Sequence, residues 1–414
     1  MKKTIIFIPH YKGSFKTLFH LAQYVHDKQV GTAHFVLYFD DNSGAKQALR
    51  EHGIGFSIYK IRFPFKVPVL GRVIKFVADF IYSIRLINRL SPVQAMVCAV
   101  ESHKLEYALI SILNRRHINT IVLQWAQTVS KEYYASIAER GKKPGLTSVV
   151  ADNVGNYIKQ LVQRVFGVRF AKFYGDGDAK YFAVMGKHYQ EMFSKQGVSE
   201  DKLVVTGHPE HDRLFELSRS VKNPGLRQAV LKSFGFDNTK PVWIFAREAI
   251  AYFKLVNEEK DKQDICAVLD ILSQNYPQVQ IILKLHPRDS EEYYGFVKDR
   301  FPHVALIQEC DLYTLIAVCD LYISQISNTM MWAIALDKPV ISYDFNNQPY
   351  WHYFRDREGI IKVDSPEELA KEVEAFKENG LTAQNYQKYQ IAKQKYMTLD
   401  GRARERITEL IMKE

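Results

Sequence analysis

The stretch LYISQISNTMMWAIALDKPVISYD, residues 321–344, decides the fold of this chain. Two apolar runs flank a polar turn and a helix-like run, an order that predicts strand, turn, helix and strand. Ser327, Asn328 and Thr329 can each cap the start of the helix, which would then present unpaired backbone N–H groups and the positive end of its dipole. The sequence therefore predicts a phosphate site at the carboxyl end of the first strand.

A second stretch, IILKLHPRD at residues 281–289, ends an apolar run with several basic side chains. Pro287 stops the strand, so His286 lies at the carboxyl edge of the sheet, where open α/β sheets bind ligands. Lys284 and Arg288 add positive charge nearby. If the two strands are neighbours, an imidazole and a helix N-terminus meet at one anion, and this pairing is the central hypothesis.

Length and composition narrow the class of protein. A chain of 414 residues exceeds the size of one core, which stops growing at about 250–300 residues, so two domains are predicted. Apolar residues make up 47% of the chain. No run of about 18 uncharged apolar residues occurs, so no transmembrane helix is predicted. Four cysteines without CxxC spacing favour a cytoplasmic protein over a disulfide-linked one. The formal charge of +10 indicates an anionic partner.

Strand and helix patterns alternate in both halves of the chain, which predicts an α/β protein with two Rossmann-like, doubly wound domains and a cleft between them. Turn residues around 223–240 indicate a linker. We therefore expect an N-terminal Rossmann-like domain at 1–220 and a C-terminal Rossmann-like domain at 238–382. A C-terminal helix at 383–414 is expected to pack back on the first domain.

The segment 62–90 interleaves basic side chains with aromatic and aliphatic ones. As a helix it would be amphipathic and basic, a pattern typical of helices that lie on an anionic membrane surface. An internal helix whose basic side chains reach out to solvent explains the pattern equally well. The basic residues concerned are Lys66, Arg72, Lys75, Arg85 and Arg89.

Four short motifs carry a resemblance to a known family: KLHP at 284–287, SQIS at 324–327, ALDKPVISYD at 335–344 and VTGHPEHD at 205–212. Together they resemble bacterial glycosyltransferases of the GT-B type that build capsule and surface polysaccharides. The His-Pro pair and the Gln-x-Ser motif are similar to those of Kdo transferases, which use a CMP-activated donor.

The resemblance implies an acceptor domain at 1–220 and a nucleotide-sugar domain at 238–382, and it implies roles for individual residues. His286 would contact the donor phosphate, and Gln325 and Ser327 would line the nucleotide site. Asn328 and Thr329 would add amide or hydroxyl contacts. The residue chemistry agrees, since imidazole, hydroxyl and helix amides can all donate to one phosphate while Lys284 or Arg288 supplies longer-range attraction.

Catalysis by such an enzyme needs a base for the acceptor hydroxyl or, in a double displacement, a carboxylate nucleophile. Acidic side chains at predicted strand ends or turns are the candidates: Glu101, Asp176, Asp178, Glu210 and Asp212. Of these, we predict that Glu101, Asp176 and Asp178 are the catalytic residues. Alternatively, Glu101 is a first-turn carboxylate favoured by a helix dipole. The GDGD run at 175–178, which contains Asp176 and Asp178, is the only DxD-like pattern in the sequence, and we interpret it as a turn.

These observations predict a cytoplasmic glycosyltransferase, associated at most peripherally with the inner face of the membrane. It would move a sugar, Kdo or another 2-keto acid sugar, from a CMP-type donor to a surface glycan or glycolipid. No cofactor and no metal are expected, because His286 and the helix dipole would neutralise the leaving phosphate.

Three alternatives stay open. The first is transfer of glycerol phosphate or ribitol phosphate from a CDP-alditol, since those enzymes resemble the same KLHP and C-terminal pattern. The second is a sugar-nucleotide 2-epimerase on the same scaffold. The third, a non-catalytic protein that binds anions or nucleic acid, is disfavoured because the basic residues are dispersed and no nucleic-acid module is present; no nucleic-acid partner is expected.

Overall fold

The computed structural model describes residues 2–10, 12–38, 43–60, 70–127, 160, 162–248, 250–251, 255–348 and 351–413. By its internal packing the chain divides into two compact units. The first comprises Met1–Asp212 with Tyr396–Glu414, and the second comprises Arg213–Lys395. Each unit contains one parallel sheet with helices, which confirms the predicted class of two Rossmann-like α/β folds.

The elements are numbered in chain order through both units. The strands of the first unit are β1 Thr4–Ile8, β2 Thr32–Leu37, β3 Gly55–Ile58, β4 Val93–Cys98, β5 Asn119–Leu123, β6 Tyr181–Val184 and β7 Leu203–Val205. Its helices are α1 Lys12–Asp27, α2 Ser43–Glu51, α3 Leu70–Leu90, α4 Lys104–Arg115 and α5 Lys187–Lys195, with a 3-10 helix at Glu200–Lys202. Helix α6, Pro209–Ser220, contains the division between the units.

The strands of the second unit are β8 Val242–Ala246, β9 Gln280–Lys284, β10 Val304–Ile307, β11 Leu321–Ser324, β12 Val340–Tyr343 and β13 Ile361–Val363. Its helices are α7 Pro224–Ser233, α8 Glu258–Ser273, α9 Gly295–Arg300, α10 Leu312–Val318, α11 Thr329–Ala335, α12 His352–Arg355, α13 Pro366–Asn379 and α14 Ala383–Tyr396, with a 3-10 helix at Glu291–Tyr294. Helix α15, Ala403–Met412, returns to the first unit.

The first sheet has the strand order β3-β2-β1-β4-β5-β6-β7, and its paired strands are parallel. Strand β1 reads TIIFI, and residues 5–8 are fully buried. Such near-continuous apolar strands suit a parallel sheet whose two faces are both covered by helices. The chain runs outward from β1 to β3 and then crosses back to β4, so the strand order reverses between β1 and β4.

The second sheet has the strand order β10-β9-β8-β11-β12-β13, again parallel. Strand β8 lies between β9 and β11, since Phe245 pairs with Leu283 on one side and with Ile323 on the other. The strands that lead to His286 and Ser327 are therefore not neighbours, and this condition of the central hypothesis is wrong. Two strand spacings, about 10 Å in all, separate their backbones.

The C-terminal segment forms two helices that pack in different units. Helix α14 belongs to the second unit, where the fully buried Tyr389 accepts a hydrogen bond from the Val340 amide at 3.1 Å. Helix α15 belongs to the first unit, where Ile407 and Ile411 are fully buried in the core. Between the helices the chain turns at Gly401, whose φ of +74° favours glycine.

Asp212 anchors the start of α15 across 191 residues of sequence. Its Oδ1 accepts from the Ala403 amide at 2.7 Å, and its Oδ2 accepts from the Arg404 amide and guanidinium at 2.9 Å each. The side chain is 1% exposed. A buried carboxylate at a helix N-terminus satisfies amides that have no partner within the helix.

We expect Asp212→Ala to lower the free energy of unfolding of the first unit by about 2–4 kcal/mol, because the Ala403 and Arg404 amides and the Arg404 guanidinium lose their buried acceptor. Urea denaturation followed by circular dichroism measures this change. Glu405→Ala, in the same helix but at an exposed carboxylate, is the matched control, with an expected change below about 1 kcal/mol. Equal effects of the two substitutions would contradict this role of Asp212.

Candidate functional site

Polar side chains gather at the carboxyl edge of the second sheet, where three adjacent strands end. Arg247 and Glu248 directly follow β8, His286 comes two residues after β9, and Gln325 directly follows β11. The strand order reverses between β8 and β11, which makes this edge the topological switch point where open α/β sheets bind ligands.

Glu248 links the end of β8 to the turn after β11. Its Oε1 accepts from the Ser324 hydroxyl at 2.7 Å, and its Oε2 accepts from the Gln325 amide at 3.3 Å. Burial raises the pKa of Glu248, while the Ser324 hydroxyl and the Arg247 guanidinium oppose that shift. The carboxylate therefore holds the backbone that follows β11 in a fixed position against β8.

Arg247 is 4% exposed and connects three elements. Its Nη1 donates to Gln325 Oε1 at 3.2 Å and to the Tyr343 hydroxyl at 2.5 Å, and its Nη2 forms a close ion pair with Asp261 of α8. Within the described part of the chain, Arg247 Nε and Gln325 Nε2 are buried donors without a hydrogen-bond partner. Unpaired buried donors cost free energy, so they favour a site that receives acceptor atoms of a ligand.

His286 is held in one tautomer by its own turn. Its amide donates to Asp289 Oδ2 at 3.0 Å, and its Nδ1 accepts from the Arg288 amide at 3.1 Å. Because Nδ1 accepts, we assign the ring proton to Nε2. Burial lowers the pKa of His286, with Asp289 opposing the shift, so the imidazole is neutral at pH 7 and presents an N–H donor.

A second polar cluster lies at the switch point of the first sheet. His10, after β1, contacts the buried Glu106 of α4 through Nδ1 and Oε1 at 3.1 Å, and the Tyr38 hydroxyl donates to Glu106 Oε2 at 2.7 Å. The His10 ring stacks on His103 with ring centroids 3.5 Å apart. His10 also has a φ of +54°, a strained conformation that is typical of functional sites.

A comparison of the sequence with models of known protein families identifies the family of this chain. Residues 159–413, more than half of the chain, match the sequence model of the CDP-Glycerol:Poly(glycerophosphate) glycerophosphotransferase family. The chain belongs to this family. No curated protein matches the chain. As a glycerophosphotransferase-family enzyme, it is a transferase that uses a nucleotide-activated donor.

Solved structures confirm the GT-B type of fold. UDP-GlcNAc 2-epimerase from Neisseria meningitidis superposes with a TM-score of 0.63 at 12% identity, over 99% of this chain and 100% of that one. A glycosyltransferase from Rickettsia africae gives 0.60 at 12% identity, over 100% and 99%. HepE from Anabaena, solved with UDP and glucose, gives 0.57 at 15% identity, over 100% of both chains. At such identities the likeness shows the fold alone.

The family match supports some of the functions predicted from the sequence better than others. It supports the predicted transferase and its nucleotide-activated donor, and it favours the alternative of a CDP-alditol donor over the CMP-Kdo donor, which is not supported. The likeness to 2-epimerases extends only to the fold. No helix in the described part of the transferase is long and apolar enough to cross a membrane. Among the same residues, no three His, Cys, Asp or Glu side chains form a group suited to a metal ion.

The other predicted donor-binding residues of the transferase occupy different environments. Lys284 is 6% exposed, and its Nζ donates to the Leu285 and Gln308 carbonyls at 2.6 and 2.8 Å. Burial lowers the pKa of Lys284. These contacts favour a structural role for Lys284, whereas Arg288 is exposed beside His286.

The turn before α11 is held mainly by its own hydroxyls. Ser327 Oγ accepts from the Thr329 amide at 3.3 Å and from the Thr329 hydroxyl at 2.7 Å. Asn328 is the N-cap residue, but its side chain makes no capping hydrogen bond. Helix α11 spans seven residues. The structure thus brings Gln325 and Ser327 to the same edge of the sheet as Arg247 and Glu248. The last two residues were not among those predicted from the sequence.

The three predicted catalytic carboxylates lie in the first unit and hold the segment 169–180. Glu101 is 1% exposed and accepts from the Gly177 amide at 2.7 Å, the Ala179 amide at 3.3 Å and Lys202 Nζ at 3.2 Å. Asp176 pairs with the Arg169 guanidinium at 2.7 Å, and Asp178 accepts from the Arg169 amide at 3.0 Å. Because these oxygens already have donors, the contacts favour a structural role for all three.

We expect Arg247→Met to lower the free energy of unfolding of the second unit by about 3–5 kcal/mol, because Asp261 stays buried without its cation. The double variant Arg247→Met with Asp261→Asn should recover part of this loss. Urea denaturation gives both values. The control is Arg300→Met, which removes an exposed pair with Asp270 and should cost less than about 1 kcal/mol. A loss from Arg247→Met no larger than the control would contradict a buried ion pair at this edge.

Proposed function

We propose that this transferase moves an alditol phosphate, with glycerol phosphate as the first choice, from a CDP-alditol to a hydroxyl group of a surface polymer. The observation that carries the proposal is the family match over residues 159–413. In the reaction the acceptor oxygen attacks the phosphorus that bears the alditol, and the bond from that phosphorus to the CMP oxygen breaks. CMP leaves, the acceptor gains a phosphodiester, and the hydroxyl proton passes to a base.

The donor site that we propose is the carboxyl edge of the second sheet. His286 supplies a neutral Nε2–H, and Arg247 Nε and Gln325 Nε2 supply further donors at the ends of β8 and β11. The donor groups follow strands whose backbones lie about 10 Å apart. A diphosphate, which is longer than the single phosphate of a CMP-sugar, suits that spacing. Exposed Arg288 would attract the anionic donor at longer range.

For the acceptor we propose the His10 cluster of the first unit, in which His10 takes the hydroxyl proton. A carboxylate can only accept a hydrogen bond, so we assign the ring proton of His10 to Nδ1, which puts the lone pair on Nε2. A carboxylate that orients and stabilises a protonated imidazole is the arrangement by which histidine acts as a general base. Glu106 is then a positioning residue, further fixed by the Tyr38 hydroxyl.

With CDP-glycerol and a hydroxyl-bearing acceptor, we expect release of CMP together with addition of phosphorus to the acceptor, observed by mass spectrometry and 31P NMR. His286→Ala should weaken CDP binding about tenfold, the loss of about one hydrogen bond to a charged group, as measured by calorimetry. His303→Ala is the matched control, because His303 bonds Ser273 elsewhere in the same unit. CMP release from a CMP-sugar but not from any CDP-alditol would overturn the proposed donor.

The proposed base gives a separate expectation. His10→Ala should reduce kcat by about 100-fold or more while CDP affinity stays unchanged, and added imidazole should restore part of the rate. The matched control is His34→Ala, since His34 bonds Ser57 within the same sheet at 2.8 Å. Full activity of His10→Ala, or a loss that imidazole does not relieve, would contradict the role of His10 as a base.

A further inference from the structure

The Tyr294 hydroxyl connects two parts of the proposed donor site. It donates to Asp289 Oδ2 at 2.9 Å, and the same oxygen accepts from the His286 amide at 3.0 Å. The Arg247 guanidinium in turn donates a hydrogen bond to the Tyr294 hydroxyl. The Tyr294 side chain is 1% exposed. One buried hydroxyl group therefore bridges the turn that follows β9 and the residue that follows β8.

The preceding residue, Tyr293, holds the ionic partner of Arg247. Its hydroxyl donates to Asp261 Oδ2 at 2.9 Å, while Asp261 Oδ1 forms the buried ion pair with Arg247. Tyr293 and Tyr294 end the 3-10 helix Glu291–Tyr294. We call these two side chains the tyrosine brace. Through it, one short helix is bonded both to the acid that holds the turn after β9 and to the acid that pairs with Arg247.

The brace extends to the end of β11, because Arg247 also donates to Gln325 Oε1 at 3.2 Å. The His286 ring and the Gln325 amide therefore belong to one hydrogen-bond network, although their strands are not neighbours. Donors that are already held in place lose little conformational freedom when a ligand binds. A ligand that bonds to both of them gains from their fixed spacing, whereas a ligand that bonds to one does not.

We propose that Tyr294 is a positioning residue through which the transferase selects a nucleoside diphosphate over a nucleoside monophosphate. The inference rests on the proposed function, in which the donor is a CDP-alditol and the product is CMP. The two phosphates of the donor bond to His286 on one side and to Gln325 on the other, at the spacing that the brace sets. The single phosphate of CMP reaches only one of these residues, so the product is held less tightly and leaves after transfer.

Calorimetry with CDP and with CMP tests the inference on the full chain and on Tyr294→Phe, which removes only the hydroxyl group. We expect the unmodified chain to bind CDP more tightly than CMP. Tyr294→Phe should weaken CDP binding about tenfold and CMP binding less than about twofold, because only the diphosphate depends on the fixed spacing. The matched control is Tyr389→Phe, which removes another buried hydroxyl of the second unit, at the start of β12, and should change neither affinity.

The His286 ring gives a second readout that needs no nucleotide. Burial lowers the pKa of His286, and the Asp289 carboxylate opposes that shift. Without the Tyr294 hydroxyl, this carboxylate loses a donor and acts more strongly on the imidazole, so Tyr294→Phe should raise the pKa of His286. Asp289→Asn removes the negative charge and should lower it further. NMR titration of 13C-labelled histidine measures both shifts, with His286→Ala to assign the signal.

Several results would overturn the inference and leave the proposed function in place. They are equal affinity of the unmodified chain for CDP and CMP, an equal loss of both affinities in Tyr294→Phe, a loss of CDP affinity no larger than in the control, or an unchanged His286 titration in Tyr294→Phe. If the unmodified chain does not bind CDP, the proposed function and the inference fail together.

Discussion

A parallel strand that is covered on both faces can carry charged side chains only where it leaves the sheet, and this constraint organises both units. Strand β8 has no residue more than 5% exposed, and the next two residues are Arg247 and Glu248. Strand β1 is similar, with His10 two residues beyond its end. Polar chemistry is thereby concentrated at the carboxyl edges, beside the point where each strand order reverses.

The contacts of buried carboxylates, rather than their position, are the basis for the structural role that we infer for Glu101 and the functional role that we propose for Glu106. Glu101 accepts from two amides and a lysine, all of which hold one backbone segment in place. Glu106 is equally buried, but its partners are the His10 ring and the Tyr38 hydroxyl, both of them titratable side chains. Both acids follow β4 closely in sequence, so the roles that we propose for them differ because of the residues that the fold places in contact with each carboxylate.

The sequence pattern was sufficient for the alternation of strands and helices, and for placing His286, Gln325 and Ser327 after strands of one sheet. It was insufficient for the strand order, because apolar runs do not specify which strands pair, and β8 proved to separate β9 from β11. Arg247 and Glu248 were not predicted as site residues because they lie in the run VWIFAREAI, which contains no turn residue. Two charged residues directly after an apolar strand were nevertheless a usable signal of a site. His10 was not among the predicted site residues, because its partner Glu106 lies 96 residues away in the sequence.

Asp212 joins the first unit to a helix that follows it by 191 residues, which has a consequence for synthesis on the ribosome. All seven strands of the first sheet precede Asp212, so they emerge before any residue of the second unit. The core positions later filled by Ile407 and Ile411 stay open during that interval. The nascent first sheet is therefore exposed to aggregation or chaperone capture until the second unit has been translated, and the first unit becomes complete last.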